Sequence, residues 1–378
     1  MLFINNLMST VLIIPSLIAT AIGVGLIITV HEFGHFIFAR LFNIPVPTFS
    51  IGFGPIVYTK RIGSTNFSLS AIPFGGYVDL TPANQHESDR WTATPWYKKM
   101  LIMIGGIFFN VLFSFFIFYL VCITGAPKTG ILFPLNATMT IGAVQAESSA
   151  ERAGLHVNDT IVGIDQVQVS DMSTLIELFN QAENSDLPVT VQRIVPDTHE
   201  PILYTTTLKI GQKHTSGRTI DTLGMSFALN ELTSQSPIRA LYSSLYMCWF
   251  HIKSVFHAYL NLFKKPDFSQ LGGPIMIMRE TLHASYKGVT VFLLVLALIS
   301  INLAILNLIP LPILDGGQML LYTIEAIARR PLSEKVLDII RIASWLMAIV
   351  LFVFLSIHDI MRIASPYIEK ISLFFGIK

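Results

Sequence analysis

His31 and His35 lie four residues apart, with Glu32 next to the first, in His31-Glu32-Phe33-Gly34-His35. Four residues is slightly more than one helical turn, so both imidazoles sit on one face, where they can bind one metal ion. A glutamate between two such histidines is the spacing of a helix-borne hydrolytic zinc site. Glu32 does not need to ligate; it is placed to act on a water that the metal activates. The flanks are unlike those of a soluble helix. Leu26-Ile27-Ile28-Thr29-Val30 precedes the motif and Phe36-Ile37-Phe38-Ala39 follows it, and over 11–42 the only charged residues are Glu32 and Arg40. Polar side chains are costly at membrane depth and are kept there for function. A zinc site inside a transmembrane helix is therefore expected.

A catalytic zinc takes three protein ligands and leaves one position open. Asp315 is the candidate for the third. It lies in Asn307-Leu308-Ile309-Pro310-Leu311-Pro312-Ile313-Leu314-Asp315-Gly316-Gly317 and is the only acidic residue between Glu280 and Glu325. Two prolines and two glycines break the helix around it, so the backbone can bend toward a metal. The competing role for this aspartate is to cap the helix that follows.

The chain that must position these groups is 378 residues long, 52% hydrophobic and 13% charged. That charged fraction is about half of what soluble proteins carry, and the mean hydropathy is +0.60. The composition is that of a membrane protein with a substantial soluble part. The net charge of +1 and the lack of a basic block argue against nucleic acid. Cys122 and Cys248 form no CxxC pair, so neither a disulfide framework nor a cysteine zinc site is expected.

Four stretches are long enough to cross a bilayer, at about 11–38, 100–124, 290–309 and 342–361. The first runs on well past a signal-peptide length and lacks a basic start, so it reads as a retained span. Arg40, Lys60, Arg61, Arg90, Lys98 and Lys99 fall between the first two spans, and Arg329, Arg330, Lys335 and Arg341 between the last two. The positive-inside rule makes both loops cytoplasmic and puts the N-terminus and the long 125–289 segment outside. Residues 238–263 are a fifth apolar stretch, but Arg239, His251, Lys253, His257 and Trp249 suit an interfacial helix better.

Two soluble or semi-soluble pieces are inserted. Ile56-Val57-Tyr58-Thr59 and Phe67-Ser68-Leu69-Ser70-Ala71 read as strands paired across Gly63-Ser64, a hairpin that reaches back into the membrane. Residues 125–230 read as a small domain of short strands, among them 189–193 and 204–208, with one helix over 173–181 capped by Ser173. Within it, Ala150-Glu151-Arg152-Ala153-Gly154-Leu155 and Asn158-Asp159-Thr160-Ile161-Val162-Gly163 look like a PDZ domain of bacterial type, with Leu223-Gly224-Met225-Ser226 as a carboxylate-binding loop.

His31-Glu32-Phe33-Gly34-His35 together with Asn307 to Gly316 resembles the paired HExxH and NxxPxPxLDG motifs of the site-2 protease family of intramembrane zinc metalloproteases. Pro73-Phe74-Gly75-Gly76-Tyr77-Val78 is similar to that family's membrane-associated β-loop, and Gly105-Gly106-Ile107-Phe108-Phe109-Asn110 to its glycine-and-asparagine motif. An inserted PDZ domain fits the bacterial branch that includes the regulator-of-sigma-E protease, although that protease has two PDZ domains in tandem and one is visible here. The resemblance implies Zn2+ held by His31, His35 and Asp315, Glu32 as the catalytic glutamate, and substrate contacts from Asn307, Asn110, Pro73, Phe74, Gly75 and Gly76. It also implies a bacterial inner-membrane enzyme acting on transmembrane protein substrates, such as an anti-sigma factor or a signal-peptide remnant.

The expected fold is thus a polytopic α-helical membrane protein with about four transmembrane helices, a membrane-associated β-hairpin and an inserted α+β PDZ-like domain. Its parts are 1–48 (first span), 49–99 (hairpin and loop), 100–125 (second span), 126–230 (PDZ-like domain), 231–289 (interfacial helix), 290–318 (third span) and 319–378 (loop, fourth span and tail).

Overall fold

The computed structural model describes residues 2–80, 91, 94–182, 186–194, 200–209, 223–264, 272–330 and 332–375. The chain divides into two compact units. One comprises Met1–Ile117 and Leu271–Lys378, the other Phe118–Gln270.

The first unit holds most of the apolar helices. Helix α1 spans Leu2–Leu41 and α2 Trp96–Thr124, whose last turns belong to the second unit. Four segments are long and apolar enough to cross a membrane: Ile14–Leu41, Trp96–Thr124, Val289–Leu306 and Lys335–Ser365. All four fall where the sequence places them. Such segments must be helical because lipid offers no partner to a free backbone N–H or C=O. Glycines let two of them touch: a Cβ built on Gly105 would lie 2.7 Å from the Gly34 carbonyl oxygen and 2.8 Å from the Phe38 ring. Small residues at such a crossing are what allow membrane helices to pack backbone against backbone.

Strands β1 (Thr48–Ile62) and β2 (Thr65–Asp79) follow α1. The expected hairpin is present, with Ile62 opposite Thr65 and Tyr58 opposite Leu69. It is longer than the sequence shows, because each strand bends. Residues 48–51 pair with 66–69 on one side and with 76–79 on the other, so two strands form a curled sheet four segments wide. Gly52 and Gly54 make the bend, both at positive φ (86° and 85°), a region that glycine enters without steric cost. Phe36 on α1 packs its ring 5.6 Å from Phe49 and 5.5 Å from Phe67, which fixes the sheet to the helix.

The second unit contains β3 (Ala137–Val144), α3 (Ser149–Arg152), β4 (Thr160–Ile164), β5 (Val167–Gln168), α4 (Met172–Gln181), β6 (Asp186–Ile194), β7 (Pro201–Lys209) and β8 (Met225–Leu229). The sheet order is β7-β6-β4-β3-β8, with β5 paired to β4. Ile141, Leu155, Ile161, Leu175, Phe179 and Val191 form its buried core. One expectation is corrected. Helix α4 is capped by Asp171, not Ser173: the Asp171 carboxylate accepts from the Thr174 amide at 2.9 Å, and the backbone is still extended at Asp171. A carboxylate also complements the positive end of the helix dipole.

Helix α5 (Pro237–Lys264) closes the second unit. It is the fifth apolar stretch of the sequence and is not among the four candidate spans. Its start is tied to the end of α2, where the Gln235 amide donates to the Cys122 carbonyl. If α5 ran back along α2, residue 251 would lie about 21 Å from that end. Instead His251 stacks 5.5 Å from the Phe118 ring, and its Nε2 lies 3.1 Å from the Ile131 carbonyl beyond the end of α2. Ala240, Ser244, Met247 and His251 are buried on one face, while Leu241, Tyr242, Leu245 and Trp249 are exposed on another.

Returning to the first unit, α6 (Pro274–Tyr286), α7 (Val289–Leu306), α8 (Asp315–Ala328) and α9 (Glu334–Phe375) complete the chain. Helix α7 stops three residues before the expected end: Pro310 has no N–H to give the Leu306 carbonyl and disfavours helical backbone at Ile309.

Candidate metal centre

Two helices bring three candidate ligand atoms together. His31 and His35 project from one face of α1, and Asp315 is the first residue of α8. The Nε2 atoms of the two histidines are 3.1 Å apart. His31 Nε2 lies 3.2 Å from Asp315 Oδ2, and His35 Nε2 lies 3.5 Å from Oδ1. Both histidines are buried. The loop that delivers Asp315 is held by its own backbone: the Gly316 amide donates to the Asn307 carbonyl at 2.7 Å. A Cβ on Gly316 would fall 2.6 Å from the Ile309 carbonyl oxygen, so the loop can close only around glycine.

The far side of each imidazole decides what the near side can do. His35 Nδ1 lies 2.8 Å from the Ile102 carbonyl, which can only accept, so Nδ1 carries the proton and Nε2 presents a lone pair. His31 Nδ1 lies 3.2 Å from the side-chain amide of buried Asn110, whose Oδ1 has no partner when Nδ2 faces the ring. Turning that amide by half a rotation lets Oδ1 accept from Nδ1–H and satisfies both groups. The Asn110 backbone is itself gripped, its carbonyl accepting from the hydroxyls of Ser114 and Ser300 at 3.0 Å each.

Two imidazole lone pairs and a carboxylate then converge on one point, and the buried Asp315 Oδ2 has no hydrogen-bond partner. A cation placed there would satisfy all three groups at once. Tetrahedral zinc with bonds of about 2.05 Å needs neighbouring ligand atoms about 3.3 Å apart. Separations of 3.1, 3.2 and 3.5 Å fit that requirement.

Glu32 is half-buried beside this cluster, and its Oε2 accepts from the Val78 amide at 3.1 Å. Asn307 is buried with Nδ2 3.3 Å from His31 Nε2. The remaining residues named from sequence are not all at the centre. Asn110 sits wholly buried behind His31, a position that suits orienting the ligand rather than the substrate contact expected of it. Gly75 (φ +90°) and Gly76 serve the sheet: a Cβ on Gly76 would lie 2.6 Å from the Ser50 carbonyl oxygen. The Pro73 carbonyl abuts Gly25 of α1, so residues 73–78 run alongside the motif helix. The Phe74 side chain lies outside the described residues.

Two contributors escaped the sequence reading, and a third was named there without a role of its own. The Ile102 carbonyl and Val78 amide are backbone groups and leave no signature in residue types. Gly106 leaves one, as half of a glycine pair in an apolar helix; a Cβ there would lie 2.6 Å from His35 Nε2 and 2.7 Å from His31 Cε1.

Comparison with known proteins agrees with this chemistry. The family model described as Peptidase family M50 matches residues 19–352. A Campylobacter jejuni protein described as "Putative zinc metalloprotease Cj1068" is 29% identical over 92% of this chain and 93% of its own length. A Rickettsia conorii protein of the same description, RC0203, is 29% identical over 93% of this chain and 99% of its own. One from Helicobacter pylori is 27% identical over 92% and 99%. Two histidines and an aspartate meeting among apolar helices, in a chain matched over most of its length, place this protein in peptidase family M50, the site-2 proteases, as a multi-pass membrane zinc metalloprotease.

Proposed function

We propose that the enzyme hydrolyses peptide bonds within or near the transmembrane segments of other membrane proteins. The observation that carries this reading is the place of the ligands: His31 and His35 lie inside the candidate span Ile14–Leu41. A protease acting on soluble chains has no reason to keep its metal there. The class of substrate is a single-pass protein, with an anti-sigma factor or a signal-peptide remnant as the regulated cases, in a bacterial inner membrane.

His31, His35 and Asp315 would hold the zinc, which when bound acidifies water and polarises a carbonyl. Glu32 is the chain's own proton carrier. It takes a proton from the attacking water and returns it to the leaving amine, held in place by the Val78 amide. The Asn307 amide is aimed at the same point and suits hydrogen bonding to the oxygen that gains charge. Asn110 and the Ile102 carbonyl act only through the imidazoles, as positioning groups.

A transmembrane substrate must unwind before it can be cut. Residues 76–79, paired on one side with 48–51, offer an edge to which an extended segment can add as a further strand. The six-stranded unit is read here as the PDZ-like domain, with Leu223-Gly224 preceding edge strand β8. Its role in this reading is to admit substrates whose outer domain has been trimmed. By the distribution of Lys and Arg it lies outside the cytoplasm, and α5 rests on the outer membrane surface with its exposed aromatic face in the headgroups.

The test is cleavage of a transmembrane peptide by the purified full chain in lipid vesicles, with zinc content measured in parallel. Products cut within the apolar segment support the reading. Cleavage confined to soluble polypeptide, with transmembrane peptides left intact, refutes it.

A further inference from the structure

A cavity of about 890 Å³ opens in the first unit beside α8, behind the loop that carries Asp315. Its walls come from the start of α2, the length of α8 and the start of α9, where the second and fourth spans begin. Four cations line it: Lys99, Arg329, Arg330 and Arg341. Among the described residues Glu325 is the one carboxylate in the lining, and its Oε1 already accepts from the Leu332 amide. Arg341 is paired with Asp338 at 2.9 Å. Among the described residues no carboxylate pairs with Arg329 or Arg330, so an excess of positive charge faces the space.

The rest of the lining is interfacial in character. Trp91, Trp96 and Trp345 all line the cavity, three of the four tryptophans in the chain. Tryptophan gathers at the headgroup level of membranes. Lys99 is held between aromatic faces, its ammonium 5.3 Å from the Trp91 ring and 5.6 Å from that of Tyr322. Beyond the cavity α9 turns bare apolar surface outward, including Ile342, Leu346 and Ile349, and only 6% of its most apolar stretch is buried. Acyl chains would lie along that surface.

We propose that this cavity binds the phosphate of an anionic phospholipid headgroup, with Arg329 and Arg330 as its principal contacts. Basic pockets at helix ends recognise such headgroups by charge and by bidentate guanidinium–phosphate bonds. A substrate's flanking residues are the other occupant to weigh. Under the orientation proposed above, a flank at this end of the spans carries its own excess of Lys and Arg, which the cavity repels. Phosphate is the shared chemistry of a lipid headgroup and a free anion, and the site's place at the membrane surface favours the lipid. The inference needs only a membrane protein and stands whether or not the substrate is transmembrane.

The probe is tryptophan fluorescence of the full chain carrying Trp249→Phe, reconstituted in phosphatidylcholine vesicles containing a minor fraction of brominated lipid. Brominated phosphatidylglycerol should quench more than brominated phosphatidylcholine. Arg329→Asn with Arg330→Gln should weaken that preference about 25-fold, at roughly fivefold per cation; asparagine is chosen because residue 329 has a φ of +52°, which it tolerates. Glu325→Gln keeps an acceptor for Leu332 but removes the opposing charge, so the preference should rise; this variant decides the matter if the double variant does not fold. Equal quenching by both lipids, a preference untouched by the double substitution, or one lowered by Glu325→Gln would overturn the proposal. Displacement by millimolar glycerol phosphate would identify a free anion as the ligand and overturn the lipid assignment.

Discussion

The Val78 amide and the Glu32 carboxylate are joined by a hydrogen bond of 3.1 Å, so the curled sheet reaches directly to the glutamate proposed as the proton carrier. Glu32→Gln should abolish proteolysis while zinc stays bound, because in the proposed mechanism the glutamate moves protons and does not ligate. Val78→Pro removes the donor and leaves Glu32 in place; a hydrogen bond to a charged group is worth enough for a fall in kcat of about tenfold or more. Zinc content by atomic absorption and turnover of a transmembrane peptide check both. Near-normal turnover by Glu32→Gln would sink the mechanism.

Asn110 should govern metal affinity rather than substrate affinity. Asn110→Leu leaves His31 Nδ1 without its partner and is expected to weaken zinc binding by about 10- to 100-fold. Asn110→Asp keeps an acceptor and should retain the metal better. Metal retained against a graded series of chelator concentrations reads this out, and excess zinc should restore activity to the leucine variant. A raised KM with unchanged zinc retention would return Asn110 to a substrate role.

A methyl group at Gly106 has no room beside the imidazoles, whereas one at Gly130 meets nothing within 4 Å. Gly106→Ala should therefore cost zinc and activity together, and Gly130→Ala should leave both unchanged. Equal behaviour of the two variants would show that α2 can shift away from α1 and that the contact is unimportant.

The six-stranded unit should loosen in acid. Asp159 is buried, which alone would raise its carboxyl; the Arg193 guanidinium at 2.7 Å and the His156 amide outweigh this and hold it below the ordinary range. A depressed folded-state value means stability that is fully present above the unfolded value of about 3.9 and is lost as pH falls through the folded one. Amide exchange in β4 and β6 of the full chain should accelerate through that window. Asp159→Asn should flatten the dependence, and an undiminished one would point to other carboxylates.

Cysteines at Ser236 and Gly272 flank α5 and test its placement. In a chain with Cys122 and Cys248 replaced, both should react in intact cells with an impermeant reagent. Protection of position 272 alone would mean that α5 crosses the bilayer, and the orientation of every later helix would reverse.

What could be read from the sequence follows from where the information resides. The meeting of His31, His35 and Asp315 was legible because metal-ligand chemistry restricts residue type, and an apolar background makes each polar residue conspicuous. The spans were legible because lipid enforces a long apolar run. The curl of the β1–β2 sheet was not, since its bend depends on two glycine φ angles and on one segment pairing with two others. The cap of α4 was misassigned because Asp171 and Ser173 are both good caps, and only the local backbone chooses between them. The Ile102 carbonyl could not have been found at all: every residue carries one.

The separation of the ligands along the chain has a consequence for how the enzyme is made. His31 emerges from the ribosome early, and Asp315 follows about 280 residues later, a delay of roughly 15 to 60 s at ordinary rates of synthesis. Under the proposed ligand set, the newborn chain holds two of its three metal ligands throughout that interval and has no hydrolytic power. It can sit in the insertion machinery, next to other nascent membrane helices, without cutting them or itself. Activity waits for the segment that carries Asp315, so a product stalled before it is a harmless one.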